Sequence, residues 1–282
     1  MTAVPDLSTS APPMTVAAVQ MVSGREVAAN LAQAAEGLQA AARAGARLAV
    51  LPEYFCLMGH RDTDKLAIAE ERGDGPIQNF LADQARTLGL WVVGGTLPLR
   101  VPGRADRVFN TTLVFDPQGE IAARYDKIHL FAFDNGGERF DEGATIEAGH
   151  EPVTFEAEGL RIGLSICYDL RFPELYRRLS QPEPCDLLLV PSAFTYTTGQ
   201  AHWEVLLRAR AIENQCYVLA AAQGGTHDSS RRTWGHSLII DPWGQIAAVQ
   251  PEGPGVVTAD LNLSRRDRIR RQLPALRHRV LA

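Results

Sequence analysis

The chain is poor in the residues that staple or metallate small proteins. Its four cysteines, Cys56, Cys167, Cys185 and Cys216, include no C-x-x-C pair. That spacing argues against a disulfide framework and against a zinc ribbon. The seven histidines form no H-E-x-x-H motif and no Cys/His cluster at zinc spacing, so no metal is expected. A phosphate-cradling G-x-x-x-x-G-K-[ST] loop is missing, and the GG pairs at 94–95 and 224–225 make no dinucleotide fingerprint. No cofactor is therefore expected. No apolar run approaches the roughly 20 residues of a membrane helix. The opening MTAVPDLSTSAPP has no basic region followed by an apolar one. Residues 1–13 are expected to be a flexible tail and not a secretory leader. With 28 basic and 33 acidic residues the net charge is -5, and no basic block is interleaved with aromatics. Neither nucleic acid nor membrane is an expected partner. The basic run SRRDRIRRQLPALRHR reads as a solvated helix face. A cytoplasmic, reducing location is the expectation.

What is present is apolar, at 45% of 282 residues, enough for one sizeable core. MTVAAVQM, RLAVLPE and WVVGGTLPL read as strands. Between them lie two helices: VAANLAQAAEGLQAAARAGA, stopping at Gly45, and GPIQNFLADQARTLGL, with Pro76 in its first turn and Gly89 past its end. RVFNTTLVF and EIAARYDKIHLF flank DPQG as a hairpin. A second hairpin turns at Glu158-Gly159, and HSLIIDPWGQIAAVQ forms a third. CDLLLVPSAF and CYVLAAAQ are further strands, and PELYRRL is a helix. AHWEVLLRARAIENQ is an amphipathic helix, with Trp203, Leu206, Leu207, Arg210 and Ala211 around two turns. LVFDPQGEIAARY and LIIDPWGQIAAVQ repeat one turn chemistry, which predicts two similar halves within one domain over 14–282. The class is a layered α/β sandwich.

In α/β sheets, working groups gather past the carboxyl ends of strands. The polar residues placed there are Glu53, Lys127, Cys167 and Ser192. A carboxylate, an ammonium and a thiol make a coherent set. The lysine favours a thiolate, which is the nucleophile. The carboxylate accepts the thiol proton and returns it to a leaving amine. The lysine, with the backbone N–H of Tyr168, stabilises an oxyanion. Each residue also has a plain structural reading, and spacing alone does not bring the three together. A Cys-His pairing of Cys167 with His129 or His236 stays open at this level.

LPEYF (51–55), YDKIHLF (125–131) and GLSICYDLRFPEL (163–175) resemble the three signature segments of the nitrilase superfamily, the carbon–nitrogen hydrolases. They occur in the family's order, and the likeness runs from about residue 14 to 280. The resemblance implies a four-layer αββα sandwich with an internal pseudo-twofold. It implies a catalytic set of Glu53 as base, Lys127 as oxyanion support and Cys167 as acyl-forming nucleophile. Glu142 in FDEGATIEAG is the candidate second glutamate. A homodimer or larger homo-oligomer is implied as well.

TGQAHWEVLLRARAIENQCYVLAAAQ and GHSLIIDPWG resemble the Nit-type amidases. That branch implies a small-molecule amide bearing an α-keto acid: deaminated glutathione, cleaved to 2-oxoglutarate and cysteinylglycine, or 2-oxoglutaramate as in the ω-amidases. N-carbamoyl compounds and simple aliphatic amides belong to other branches. Arg171 is the expected carboxylate clamp; a structural ion pair with Glu174 is its rival role. Phe194 and Thr198, expected in the loop after VPSAF, are candidate pocket walls. Ala132 stands where many relatives have an aspartate. A chain that keeps the fold but lacks the chemistry, acting as a scaffold, is the non-enzyme alternative.

Overall fold

Successive residues of the strand Met14–Gln20 face different cores. Val16 and Ala18 belong to one apolar cluster, Ala17 and Val19 to the other. A strand apolar on both faces must be covered on both, which is how a strand inside a sandwich reads. The structure is a computed structural model describing residues 14–280, apart from 135, 137 and 138. The tail expected at residues 1–13 lies outside the described residues.

Two sheets carry the fold. In the first, Met14–Gln20, Leu48–Val50 and Trp91–Val93 run parallel. In the second, Leu160–Leu164, Leu187–Leu189 and Tyr217–Ala220 do the same. Each parallel trio is extended on one side by a hairpin: Arg104–Phe115 with Ile121–Asp126, and Ser237–Ile240 with Ile246–Gln250. Each is closed on the other by one antiparallel strand, Gly255–Leu261 or Thr154–Ala157. The six strands named in each sheet are therefore arranged alike, as the repeated D-P-x-G hairpins predicted, although the closing strand comes last in the chain in one sheet and first in the other and the first sheet carries two further strands.

One core lies between the sheets and continues under the helix Tyr196–Asn214, through Trp203, Leu207 and Ala211. The other lies under the helices Val27–Arg43 and Pro76–Leu88, through Ala34, Leu38, Leu81 and Ala85. The layers run helix, sheet, sheet, helix. Burial of two sheets' inner faces against each other supplies most of the hydrophobic drive.

Three expectations need correction. WVVGGTLPL is two strands, not one. Trp91–Val93 and Leu97–Val101 pair one after the other along the same edge of Arg104–Phe115, with the register shifted by one residue between them. Gly95 breaks them apart: its φ is +50°, and a Cβ there would lie 2.1 Å from the Pro52 carbonyl oxygen. The helix expected from Ala201 begins at Tyr196. Gly199, which reads as a breaker, sits in its first turns because a Cβ would strike Trp234. Finally, the basic run is not simply solvated. On the helix Leu263–Gln272, Arg265 pairs with Asp241, and Arg266 and Arg270 pair with Asp186. Those pairs dock the helix onto the second half of the chain.

Gly95→Ala is expected to lower stability by more than about 1 kcal/mol, since the left-handed backbone and the Pro52 carbonyl both resist a side chain. Urea unfolding checks this. A variant as stable as the native chain contradicts the close approach.

Candidate active site

Cys167 sits three residues beyond the strand Leu160–Leu164, at the start of a tight 3-10 turn, Cys167–Arg171. Its φ is +48°, a left-handed conformation that a residue with a Cβ rarely adopts. Such strain persists only where surroundings enforce it. Here the Cys167 N–H donates to the Pro191 carbonyl at 3.0 Å. Asp169, fully buried, fixes the rest of the turn. Its Oδ2 accepts from the Ile166 N–H at 2.8 Å and the Tyr125 hydroxyl at 2.7 Å. Its Oδ1 accepts from the His129 N–H at 3.0 Å and lies 2.7 Å from His129 Nδ1. One carboxylate thus ties the cysteine turn to the segment 125–129 that carries Lys127. His129 is occupied in this brace and stacks on Phe172, with ring centroids 3.7 Å apart.

Lys127 follows the strand Ile121–Asp126 and has no exposed surface. Its Nζ donates to Glu53 Oε1 at 2.8 Å and to both Glu142 oxygens, at 2.9 and 2.8 Å. Glu53, 1% exposed, also accepts from Asn110 Nδ2 at 3.0 Å and from the Ala193 N–H at 2.9 Å. Glu142 accepts in addition from the Tyr54 hydroxyl at 2.8 Å and the Phe131 N–H at 2.7 Å. Two carboxylates flank one ammonium, and every carboxylate oxygen has a donor.

The protonation states follow. Burial works against the Lys127 cation, but the charges of Glu142 and Glu53 outweigh it and raise its pKa above the ordinary value. Burial likewise works against the Glu142 anion, and the Lys127 ammonium overcomes it, so its carboxyl is held below the ordinary value. The Cys167 thiol goes the other way. Burial raises its pKa, the Glu53 charge raises it further, and Lys127 offsets only part of this. Lysine favours the thiolate, as its charge implies, but burial and the facing carboxylate outweigh it. The thiol is neutral at rest and needs a base.

A cavity of about 290 Å³ of open space meets this cluster, lined by Glu53, Glu142, Cys167, Tyr168, Arg171, Phe194 and Thr198 among others. Lys127 lies behind Glu53 and Glu142 and does not reach the lining. Arg171 extends over the faces of Phe194 and Tyr168, 5.2 and 5.7 Å from their ring centroids, with Nη1 3.2 Å from His202 Nδ1. The ion pair with Glu174 is not made, and no carboxylate lies within 4.0 Å of Arg171 among the described residues. Phe194 packs on Trp203 at 4.8 Å. Thr198 shares a 2.7 Å hydrogen bond with Thr195 and stands in the first turn of the helix, not in a loop. As the second residue of the 3-10 turn, Tyr168 has no intrahelical acceptor for its N–H. Its ring packs edge-on against Phe131 and Phe172.

Sequence reasoning missed Asn110, the Ala193 N–H, Tyr54 and Arg231. Asn110 had a signal: an asparagine in the strand RVFNTTLVF is out of place unless it has a specific partner. Arg231, which lines the same cavity, had none. Ala132, the family departure, pairs with Asp141 in the ribbon Ala132–Asp134 and Arg139–Asp141. It is exposed there, while its neighbour Phe131 faces the cavity.

Comparison with known proteins agrees with this fold. The carbon-nitrogen hydrolase family profile matches residues 15–271. A curated protein of Synechocystis sp., "Deaminated glutathione amidase", is 44% identical over 271 residues, covering 95% of this chain and 98% of its own. The crystal structure of C. elegans NitFhit superposes with a TM-score of 0.88 at 37% identity, covering 95% of this chain; this chain spans 65% of that one. Saccharomyces cerevisiae Nit3, described as a member of branch 10 of the nitrilase superfamily, superposes with a TM-score of 0.84 at 30% identity, covering 93% and 94%. The chain belongs to the carbon–nitrogen hydrolases, the nitrilase superfamily, and within them to the Nit-type branch. It is a hydrolase of carbon–nitrogen bonds other than peptide bonds.

Glu142 stabilises the fold above its unfolded-state pKa, near 4.5, and that contribution is lost as pH falls through its lower folded value. Glu142→Gln is therefore expected to cost stability at pH 7, where Lys127 loses a charged partner. It is expected to flatten the acid limb below about pH 4.5. Urea midpoints for both proteins across pH 3–7 check this. Parallel curves would contradict it.

Proposed function

We propose that the protein is a thiol-dependent amidase that hydrolyses the amide of deaminated glutathione to 2-oxoglutarate and cysteinylglycine. The observation that carries this reading is a cavity lined by Glu53 and Cys167, with Lys127 bonded behind Glu53, that also holds Arg171, a guanidinium with no carboxylate partner among the described residues. The name of the Synechocystis relative supports the same substrate.

The chemistry runs in two displacements. Arg171 binds the α-keto carboxylate of the acyl portion. Glu53 takes the Cys167 proton as Sγ bonds to the amide carbon. The oxyanion that forms is stabilised by the Lys127 charge and the Tyr168 N–H. Glu53 then passes the proton to the nitrogen, the carbon–nitrogen bond breaks, and cysteinylglycine departs with its amine intact. A thioester remains on Cys167. Water attacks it while Glu53 takes a proton, and collapse of the second oxyanion expels the thiolate, which recovers that proton. 2-Oxoglutarate leaves. Glu142 positions Lys127 and balances its charge.

The catalytic unit is proposed to span residues 14–282 and to work in a reducing cytoplasm, for which four free, buried thiols give support. A homodimer or larger homo-oligomer is proposed, supported by Val205, Ile212 and Trp243, which are large, apolar and exposed. No described helix is long and apolar enough to cross a membrane.

Steady-state kinetics on deaminated glutathione and 2-oxoglutaramate side by side test the substrate, with a higher kcat/KM expected for the first. The reverse order makes the protein an ω-amidase. Intact-mass analysis after rapid quenching is expected to find the 2-oxoglutaryl adduct on the native protein and none on an inactive Cys167→Ala variant. A native protein that turns over neither substrate and stays unmodified fits a scaffold instead.

A further inference from the structure

The cavity at Cys167 does not end there. At Phe131, Glu142 and Arg231 it shares walls with a second chamber, of about 530 Å³ of open space. Cys167 and Arg171 line only the inner cavity, whereas Lys65 lines the outer chamber and not the inner.

The outer chamber holds two half-buried cations that have no carboxylate within 4.0 Å among the described residues. Lys65 Nζ donates to Thr145 Oγ1 at 3.3 Å and lies 5.8 Å from the centre of the Tyr54 ring. Arg231 lies over the Phe140 ring at 5.2 Å. Its other contacts are weak: Nη2 to the Ala193 carbonyl at 3.4 Å and Nη1 to Met58 Sδ at 3.8 Å, with Nε buried and without a partner. Asp62 and Glu142 act on Lys65 only from a distance, without an ion pair. Arg61 is paired with Asp64, and Glu142 with Lys127. Asp62 and Asp141 are exposed, at the rim. A half-buried cation without a counter-charge is costly, so two in one chamber mark it for an anion.

We propose that the outer chamber is the subsite for the amine portion of the substrate and that Lys65, with Arg231 at the boundary, binds a carboxylate at its far end. This deepens, and rests on, the amidase reading above. An acyl group held by Arg171 and attacked by Cys167 fills the inner cavity, so the leaving nitrogen and what it carries extend past Glu142 into the outer one. The ligand class is an N-substituted amide whose amine part is a short peptide acid. A primary amide, which releases ammonia, leaves the chamber unused.

The test compares deaminated glutathione with its analogue bearing a carboxamide in place of the glycine carboxylate. The native enzyme is expected to favour the acid by about tenfold or more in kcat/KM, chiefly through KM, the scale of one charge-assisted hydrogen bond. Lys65→Met is expected to bring the two substrates close to equal by weakening only the acid. A native enzyme that cleaves both alike overturns the subsite and leaves the amidase reading standing, and this comparison requires no variant. A Lys65→Met enzyme that retains the full preference also overturns it. A native enzyme inert towards deaminated glutathione but active on 2-oxoglutaramate overturns the functional reading and this inference with it.

Discussion

One buried ammonium organises the centre of this molecule. Lys127 is the meeting point of Glu53 and Glu142, and none of the three could remain charged at such depth alone. Two carboxylates against one cation leave a net negative site, and the remaining donors make up the difference: Asn110, the Ala193 and Phe131 N–H groups, and the Tyr54 hydroxyl. These donors come from distant parts of the chain. A buried ion cluster is a weak source of stability and a strong constraint on geometry. Removing Lys127 leaves two desolvated carboxylates without a counter-charge. Asp169 extends the constraint to Cys167, since its four contacts span both the Lys127 segment and the cysteine turn.

The two halves share a strand arrangement but divide the work. Glu53 and Ser192 each stand three residues past the middle parallel strand of their sheet; Ser23 and Cys167 each stand three past the first. The proposed chemistry uses Glu53 from one half and Cys167 from the other. At the matching positions Ser23 donates to the Phe55 carbonyl and Ser192 to the Val190 carbonyl, so they serve as struts. The Ala193 N–H, next to Ser192, reaches across to hold Glu53. The sandwich thus places two equivalent strand ends face to face, and side-chain identity decides which becomes reactive.

Much of this was legible before any coordinates. Glu53, Lys127 and Cys167 could be read because each ends a short apolar strand, a signal carried within a few residues. Arg171 could be read for its nearness to Cys167. Arg231 could not, because its position depends on where a hairpin tip comes to rest. The break at Gly95 was hidden because its cause, the Pro52 carbonyl, lies outside the local window. The early start of the helix at Tyr196 was hidden for the same reason, with Trp234 as the distant partner. The balance at the thiol was not legible because burial is a tertiary quantity: neighbouring charge types suggest a direction, but depth sets the balance.

The neutral state of Cys167 has a consequence for durability. Peroxides and most alkylating agents consume thiolates, not thiols. A thiol kept protonated by burial and by the Glu53 charge is largely withdrawn from that chemistry, although it is poised for attack on an oriented carbonyl. In the proposed mechanism, activation waits for a guest that fills the cavity and lets Glu53 take the proton. Reactivity then belongs to the occupied site and not to the resting chain.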